Sequence, residues 1–329
     1  MREKIYKMSG AGNDFVVLDG RGIDVSEFRQ PKHIAELCRE YRTDGLMILL
    51  EYGKADFRMD FFNPDGSGGM MCGNGGRCIV AFADWLGISP SAPDHYTFLA
   101  PDGLHTAEIL SRPGGGCGTT SGGTSFASLT TAPPSGAGPL PLPVSGGGHA
   151  RQGLSTTATT EQWTVRLKMI DVEGISELLG GYFLNTGTRH FVKFVDDVDA
   201  IDIEKEGKEL RWNETFAPEG TNVNFVQRLP DGTLKIRTFE KGVEGETLAC
   251  GTGITASALA TYSCGEKAGS CPEKRVPIPA FPAANKTTAI RLQARRGDIL
   301  QVDFEPAGPG IFRNIHLTGP AEFCKTSES

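Results

Sequence analysis

Apolar and polar positions along this chain switch repeatedly between a period of two and a period near 3.6, and the switches divide it into elements. Near the N-terminus, the apolar run at residues 15–18 reads as a buried strand. Ile34, Leu37, Cys38 and Tyr41 then share one face at i, i+3, i+4 and i+7. Pro31 suits a first helical position, so a helix is expected over residues 31–41. Residues 46–52 and 56–63 predict strands, followed by a turn at Cys72, an apolar helix to about Leu86 and a hairpin over residues 95–110. The second half repeats the series. Strands are expected near residues 191–195, 222–228 and 233–239, with a short helix at 203–212 inside the series. A turn at Cys250, a helix to about Ser263 and a hairpin over 289–304 complete it. Strands and helices do not alternate as regular βαβ units would, which points to an α+β fold rather than a doubly wound sheet.

The two series are related by a nearly constant offset. FRMDFFN at 57–63 corresponds to LKIRTFE at 234–240, NDFVV at 13–17 to RHFVK at 189–193, and Cys72-Gly-Asn-Gly to Cys250-Gly-Thr-Gly. Three landmarks in step argue for an internal duplication. The expected organisation is a first half at 1–110, a low-complexity insertion at 111–162 and a second half at 163–310. Residues 111–160 contain no Lys, Asp or Glu and are rich in Gly, Ser, Thr and Pro, a composition that predicts disorder. A loop at about 264–288, rich in Pro, Ala and Lys, interrupts the second half.

Composition narrows the function classes. With 329 residues, 39% hydrophobic and 22% charged, the chain is ordinary for a globular protein. Its net charge of −7 argues against nucleic acid or an anionic membrane as partner. No apolar run approaches the roughly 20 residues of a membrane span. MREKIYKMSG does not read as a signal or transit peptide, so a cytoplasmic location and reduced thiols are expected.

Two of the eight cysteines stand out. Cys72 and Cys250 each precede Gly-x-Gly and an apolar helix. A thiol at a helix N-terminus sits among unpaired N–H groups, which should lower its pKa toward neutrality. The same N–H groups can cradle a carboxylate, and glycine lets it approach. Two such turns, one per repeat, would place thiols on opposite faces of one amino acid, so that one removes the α-proton while the other returns a proton. Cys72 and Cys78 lack the C-x2-C pairing of zinc sites and have no nearby His cluster, so no metal is expected.

At these residues the chain resembles the diaminopimelate epimerase family. The resemblance runs through KMSGAGNDFVV (7–17), DGL (44–46), FNPDGSGGMMCGNGGRC (62–78), GTNVNFV (220–226) and GETLACGTG (245–253). It implies two pseudo-symmetric domains, each a mixed or antiparallel sheet wrapped around a central helix, with the C-terminal strand (311–325) returning to the first. It implies epimerisation of L,L-diaminopimelate to the meso form without pyridoxal phosphate or any other cofactor, in lysine and peptidoglycan precursor synthesis, with a homodimer as the expected assembly. Cys72 and Cys250 would be the acid/base pair. Asn13, Asn63 and Asn222 would bind substrate through their amides. Gly73, Asn74, Gly251 and Thr252 would hold the reacting carboxylate by backbone N–H. Glu240 and Lys241 would grip the distal end, with Thr188 and His190 bordering the site. The chain departs from the family pattern with Lys241 for Arg, Arg189 for Pro and residues 40–43 for a Gly-rich stretch. Arg189 is thereby a candidate for the missing guanidinium. Three other readings of the same residues stay open: an epimerase of another amino acid, a non-catalytic amino-acid-binding protein, and a thiol–disulfide protein.

Overall fold

A computed structural model describes residues 5–69, 72–114, 161–266 and 287–324. The low-complexity insertion and the loop after the second cysteine helix fall largely outside these residues, as do Cys117 and Cys271.

The first repeat begins with a hairpin. Ile5–Gly10 pairs antiparallel with Asn13–Asp19 across a two-residue turn, Ala11 and Gly12, both at positive φ (54° and 103°). That backbone hand suits the strand twist, and Gly12 is the residue that adopts it without strain. Asn13–Asp19 then pairs parallel with Leu46–Leu50. Helix Pro31–Tyr41 lies between them in sequence and buries Ile34, Leu37 and Cys38 against Val16, Leu18, Leu46 and Ile48. These two strands are covered on both faces, which explains their continuous apolar runs. Pairing continues through Phe57–Phe62, His95–Ala100 (parallel), Gly103–Ser111 and Glu161–Lys168. The last of these pairs with Ile311–Cys324, which returns to Ile5–Gly10. Eight strands thus close into a ring with no free edge. Helix Gly73–Trp85 fills it, with Gly73 through Ala83 all buried.

The second repeat builds a matching sheet, completed by a chain connection between two short strands. Arg189–Phe194 pairs parallel with Asn222–Arg228, which pairs antiparallel with Leu234–Glu240. Thr288–Gln293 follows in parallel, then Ile299–Gly308 and Ile311–Cys324. Val172–Glu173 and Ser176–Leu178 carry the chain back to Gly181–Asn185, beside Arg189–Phe194. Helix Gly251–Glu266 packs inside on Ile254, Ala256, Leu259 and Ala260. The strand Ile311–Cys324 serves both rings: up to Thr318 it pairs with Ile299–Gly308, and from Gly319 it pairs with Glu161–Lys168.

The α+β class and the two sheets wrapped around central helices match the sequence expectation. The short helix expected at 203–212 is instead a π turn, Ile203–Gly207, followed by Lys208–Arg211. Gly207 lies so close to Phe239 that a Cβ there would sit 2.5 Å from the Phe239 Cβ, and this seats the wider turn on the sheet. The expectation of reduced thiols is also corrected: Cys264 is disulfide-bonded, whereas Cys38, Cys72, Cys78, Cys250 and Cys324 are free. Among the described residues, no helix is long and apolar enough to cross a membrane.

Candidate active site

The two cysteine turns meet where the rings touch. Cys72 is the extended N-cap of its helix (φ −102°, ψ 150°), and its Sγ accepts the Gly75 N–H at 3.2 Å. Cys250 occupies the same place before the second helix, whose first turn closes with the Ile254 N–H donating to the Cys250 carbonyl at 2.8 Å. The residue after each cysteine sits where a side chain would be crowded. A Cβ on Gly251 would lie 3.1 Å from the Gly73 Cα, and one on Gly73 would lie 2.9 Å from Leu317 Cδ2. The helix N-termini therefore abut backbone to backbone, with Leu317 of the shared strand beneath both.

Asn74 bridges the rings. Its Nδ2 donates to the Ala249 carbonyl at 3.1 Å and to Asn13 Oδ1, while its Oδ1 accepts from Arg77 Nη2 at 2.9 Å. Arg77, fully buried, also donates to the Gly73 and Pro320 carbonyls. Asn13 Nδ2 in turn donates to Asp44 Oδ2 at 3.2 Å.

Electrostatics correct one sequence expectation. The helix starts were expected to lower both thiol pKa values, but burial pushes Cys72 up to about 11 despite the Gly75 N–H and the nearby Arg77 charge. Burial also raises Cys250, and the Glu240 carboxylate adds to the effect. Desolvation of a small anion outweighs the few N–H donors around it. Burial likewise raises Glu240, whose carboxylate faces the Cys250 thiol. The resemblance implied a distal-end role for Glu240; in the structure its carboxylate neighbours Cys250 Sγ.

A polar network backs Cys250 from the other side. Thr252 Oγ1 lies 3.4 Å from Cys250 Sγ and 2.9 Å from His190 Nε2, and Thr188 Oγ1 is also 2.9 Å from that nitrogen. Burial pushes His190 down to about 3, so the imidazole is neutral. Asn222 is buried, donating to the Arg189 carbonyl at 3.0 Å and accepting the Lys241 N–H at 2.8 Å.

Of the residues singled out from sequence, Cys72, Gly73, Asn74, Asn13, Cys250, Gly251, Thr252, Thr188, His190, Asn222 and Glu240 are linked by these contacts. Asn63 Nδ2 is tied to Ser67 Oγ at 3.0 Å within its own turn. Lys241 joins through its backbone, its side chain being exposed. Arg189 forms an ion pair with Glu219 and lies over the Phe183 ring. Sequence reasoning passed over Arg77, Asp44 and Asn224. The signal for Asn224 was present: Asn222 and Asn224 stand two apart in the strand and so share a face, with apolar Val223, Phe225 and Val226 around them.

Comparison with known proteins places this arrangement. The sequence profile of the family described as "Diaminopimelate epimerase" matches residues 5–111 and 182–279. The chain is 32% identical to the diaminopimelate epimerase of Flavobacterium psychrophilum over 97% of each chain. It is 34% identical to that of Chlorobaculum tepidum, covering 95% of this chain and 96% of the relative. The chain belongs to the diaminopimelate epimerase family. Solved structures with the same fold reach beyond diaminopimelate epimerases. A Bacillus anthracis phenazine biosynthesis protein of the PhzF family superposes with a TM-score of 0.60 at 11% identity, covering 98% of this chain and 96% of that one. A hydroxyproline epimerase from Agrobacterium vitis gives 0.55 at 15% identity, covering 98% and 90%. Such distant likeness speaks to fold alone.

Proposed function

We propose that this diaminopimelate epimerase-family chain interconverts L,L- and meso-diaminopimelate by proton transfer between two cysteines. The observation that carries the reading is the pairing of Cys72 and Cys250 at abutting helix starts, one from each repeat. A bound α-carboxylate would lie at the N–H groups of residues 73–74 and 251–252, with the α-carbon between the sulfurs. One thiolate takes the α-proton from one face, and the opposite thiol gives its proton to the other. Both transfers use the chain's own side chains, so the reading calls for no cofactor.

The raised thiol pKa values fit a site that activates on binding. The substrate brings an α-ammonium group into a buried volume that already holds Glu240, and a cation near sulfur favours the thiolate. The same reading assigns the enzyme to lysine and peptidoglycan precursor synthesis in the cytoplasm.

The test is incubation of reduced protein with L,L-diaminopimelate in D2O, reading α-deuterium and configuration. Inversion with deuterium uptake is expected. Cys72→Ala and Cys250→Ala should each lower the rate by about 10³-fold or more, within the range for an acid/base group. Inversion that survives either substitution would remove the two-thiol mechanism. The exposed Lys241 and the outward Arg189 leave no guanidinium identified for a distal carboxylate. A panel of other amino acids therefore belongs in the same experiment, and turnover of one of these alone would transfer the mechanism to a different substrate.

A further inference from the structure

Asn224 is fully buried on the strand Asn222–Arg228, behind the second cysteine turn. Its Nδ2 lies 3.2 Å from the Phe191 carbonyl and 3.0 Å from His190 Nδ1, and its Oδ1 lies 3.0 Å from Thr238 Oγ1. A carbonyl oxygen can only accept, so the atom facing Phe191 must be the amide NH2. That same NH2 faces Nδ1, which must therefore be the bare, accepting nitrogen of the neutral ring. The imidazole's one proton is then on Nε2.

A second amide is oriented as firmly. Asn222 donates to the Arg189 carbonyl and accepts the Lys241 N–H, so its NH2 also faces Thr188 Oγ1, at 3.3 Å. Thr188 Oγ1 and Thr252 Oγ1 are 3.2 Å apart, and His190 Nε2 contacts both. Donors thus arrive at the two hydroxyls from Asn222 and from His190. Each hydroxyl has one proton to pass on, and the acceptor that ends the chain is Cys250 Sγ, 3.4 Å from Thr252 Oγ1. Gly253 supplies independent support. A Cβ there would collide with Asn224 Oδ1, so the last glycine of the Cys-Gly-Thr-Gly turn makes room for this amide.

We propose that Asn224 is a positioning residue that locks His190 in its Nε2–H tautomer and so directs a hydrogen-bond chain through Thr252 at the Cys250 sulfur. The chain stabilises the thiolate, since a hydroxyl that donates to sulfur favours the charged form. This deepens the two-cysteine reading, and its catalytic consequence rests on that reading; the tautomer itself does not.

The experiment is 15N NMR of the histidine ring nitrogens in the full-length, unliganded protein, with His190→Gln for assignment, beside kinetics of Asn224→Leu. Wild-type protein is expected to show a protonated Nε2 and a bare Nδ1 at His190. Asn224→Leu keeps the size and removes the donor. An Nδ1-protonated form should then appear, kcat should fall about tenfold with KM within about twofold, and in the direction in which Cys250 is the base the acid limb of kcat/KM should move up by about one pH unit. Protonated Nδ1 in wild type overturns the proposal, even if the variant fails to fold. An unchanged tautomer in Asn224→Leu overturns it as well, as does a loss of activity without any movement of the pH profile. A wild-type Nε2–H signal in protein that epimerises nothing supports the lock and sinks the two-cysteine reading instead.

Discussion

The two cysteine turns are copies in backbone and opposites in surroundings. Cys72 is served by main-chain N–H groups, with the buried Arg77 guanidinium nearby and an apolar strand, Leu46–Leu50, behind it. Cys250 faces a carboxylate, Glu240, and adds the hydroxyl of Thr252 to the main-chain N–H of Gly253. The matching strand behind it has Asn224 where the first repeat has Met47. Duplication copied the helix start, which inversion needs twice. It did not copy every group that sets each thiol's protonation: Arg77 belongs to the first turn and Thr252 to the second. Glu240 disfavours both thiolates, as the leading charge at Cys250 and with Arg77 partly opposing it at Cys72, so Cys72 is the thiol that ionises more readily in the unliganded protein.

The largest effect, after loss of either sulfur, should come from parting the two turns. Gly251→Ala places a methyl group 3.1 Å from the Gly73 Cα, against helix backbone that has little room to move. The helix starts should separate by a few tenths of an ångström. Because a 1 Å misplacement can cost about 10²-fold, a shift of this size should lower kcat by up to about tenfold while the fold persists. Steady-state kinetics beside a thermal melt will check this. A variant as fast as wild type would show that contact between the rings does not set the distance between the sulfurs.

How much of this was legible in advance depends on range. The repeat, the helix starts and the glycines after each cysteine are local signals, and they led to the right elements. The direction of the thiol pKa shifts was not local. It depends on burial by strands far apart in the chain, such as Ile311–Cys324 passing beneath both turns with Leu317, and no window around Cys72 or Cys250 contains that. Glu240 was found for its place before the turn, but its closeness to Cys250 was not foreseen. The strand register that brings it to Cys250 is fixed by pairing with Asn222–Arg228 and with Gly245–Thr247, not by its neighbours in sequence. Strands such as Ile5–Gly10 and Gly181–Asn185 were missed because they are short and end in glycine, serine or asparagine.

A smaller effect should sharpen the contrast between the sulfurs. In unliganded wild type, alkylation by iodoacetamide across pH should label Cys72 before Cys250, with the Cys72 rate rising toward a midpoint of about 11. Glu240→Gln removes the negative charge facing Cys250. The carboxylate disfavours the thiolate, so its removal lowers the Cys250 pKa and raises the thiolate fraction at any given pH below it. Labelling of Cys250 at pH 8 should accelerate about tenfold, one pH unit's worth of ionisation, with a lesser change at Cys72. Peptide mapping separates the two sites. Equal acceleration at both would mean that Glu240 belongs to the cleft as a whole and not to Cys250.

The smallest effect concerns neighbours whose side chains part company. His190 and Arg189 are adjacent, and strand alternation sends them to opposite faces of the sheet. Leu184 and Val192 share the His190 face and pack in the core around the central helices, while Phe191 packs in the outer cluster with Val198, Phe216 and Phe225. Arg189 follows Phe191: its guanidinium lies 5.2 Å from the Phe183 ring centroid and is paired with Glu219. A guanidinium held there cannot at the same time reach a carboxylate beside His190. Arg189→Ala should therefore leave KM and kcat within about twofold. It should cost no more than about 1 kcal/mol of stability, the scale of an exposed ion pair with a cation–π contact. A tenfold rise in KM for diaminopimelate, with no change for a substrate lacking the distal carboxylate, would instead mean that the side chain swings off Glu219 when substrate binds, and the division between the two faces would no longer hold.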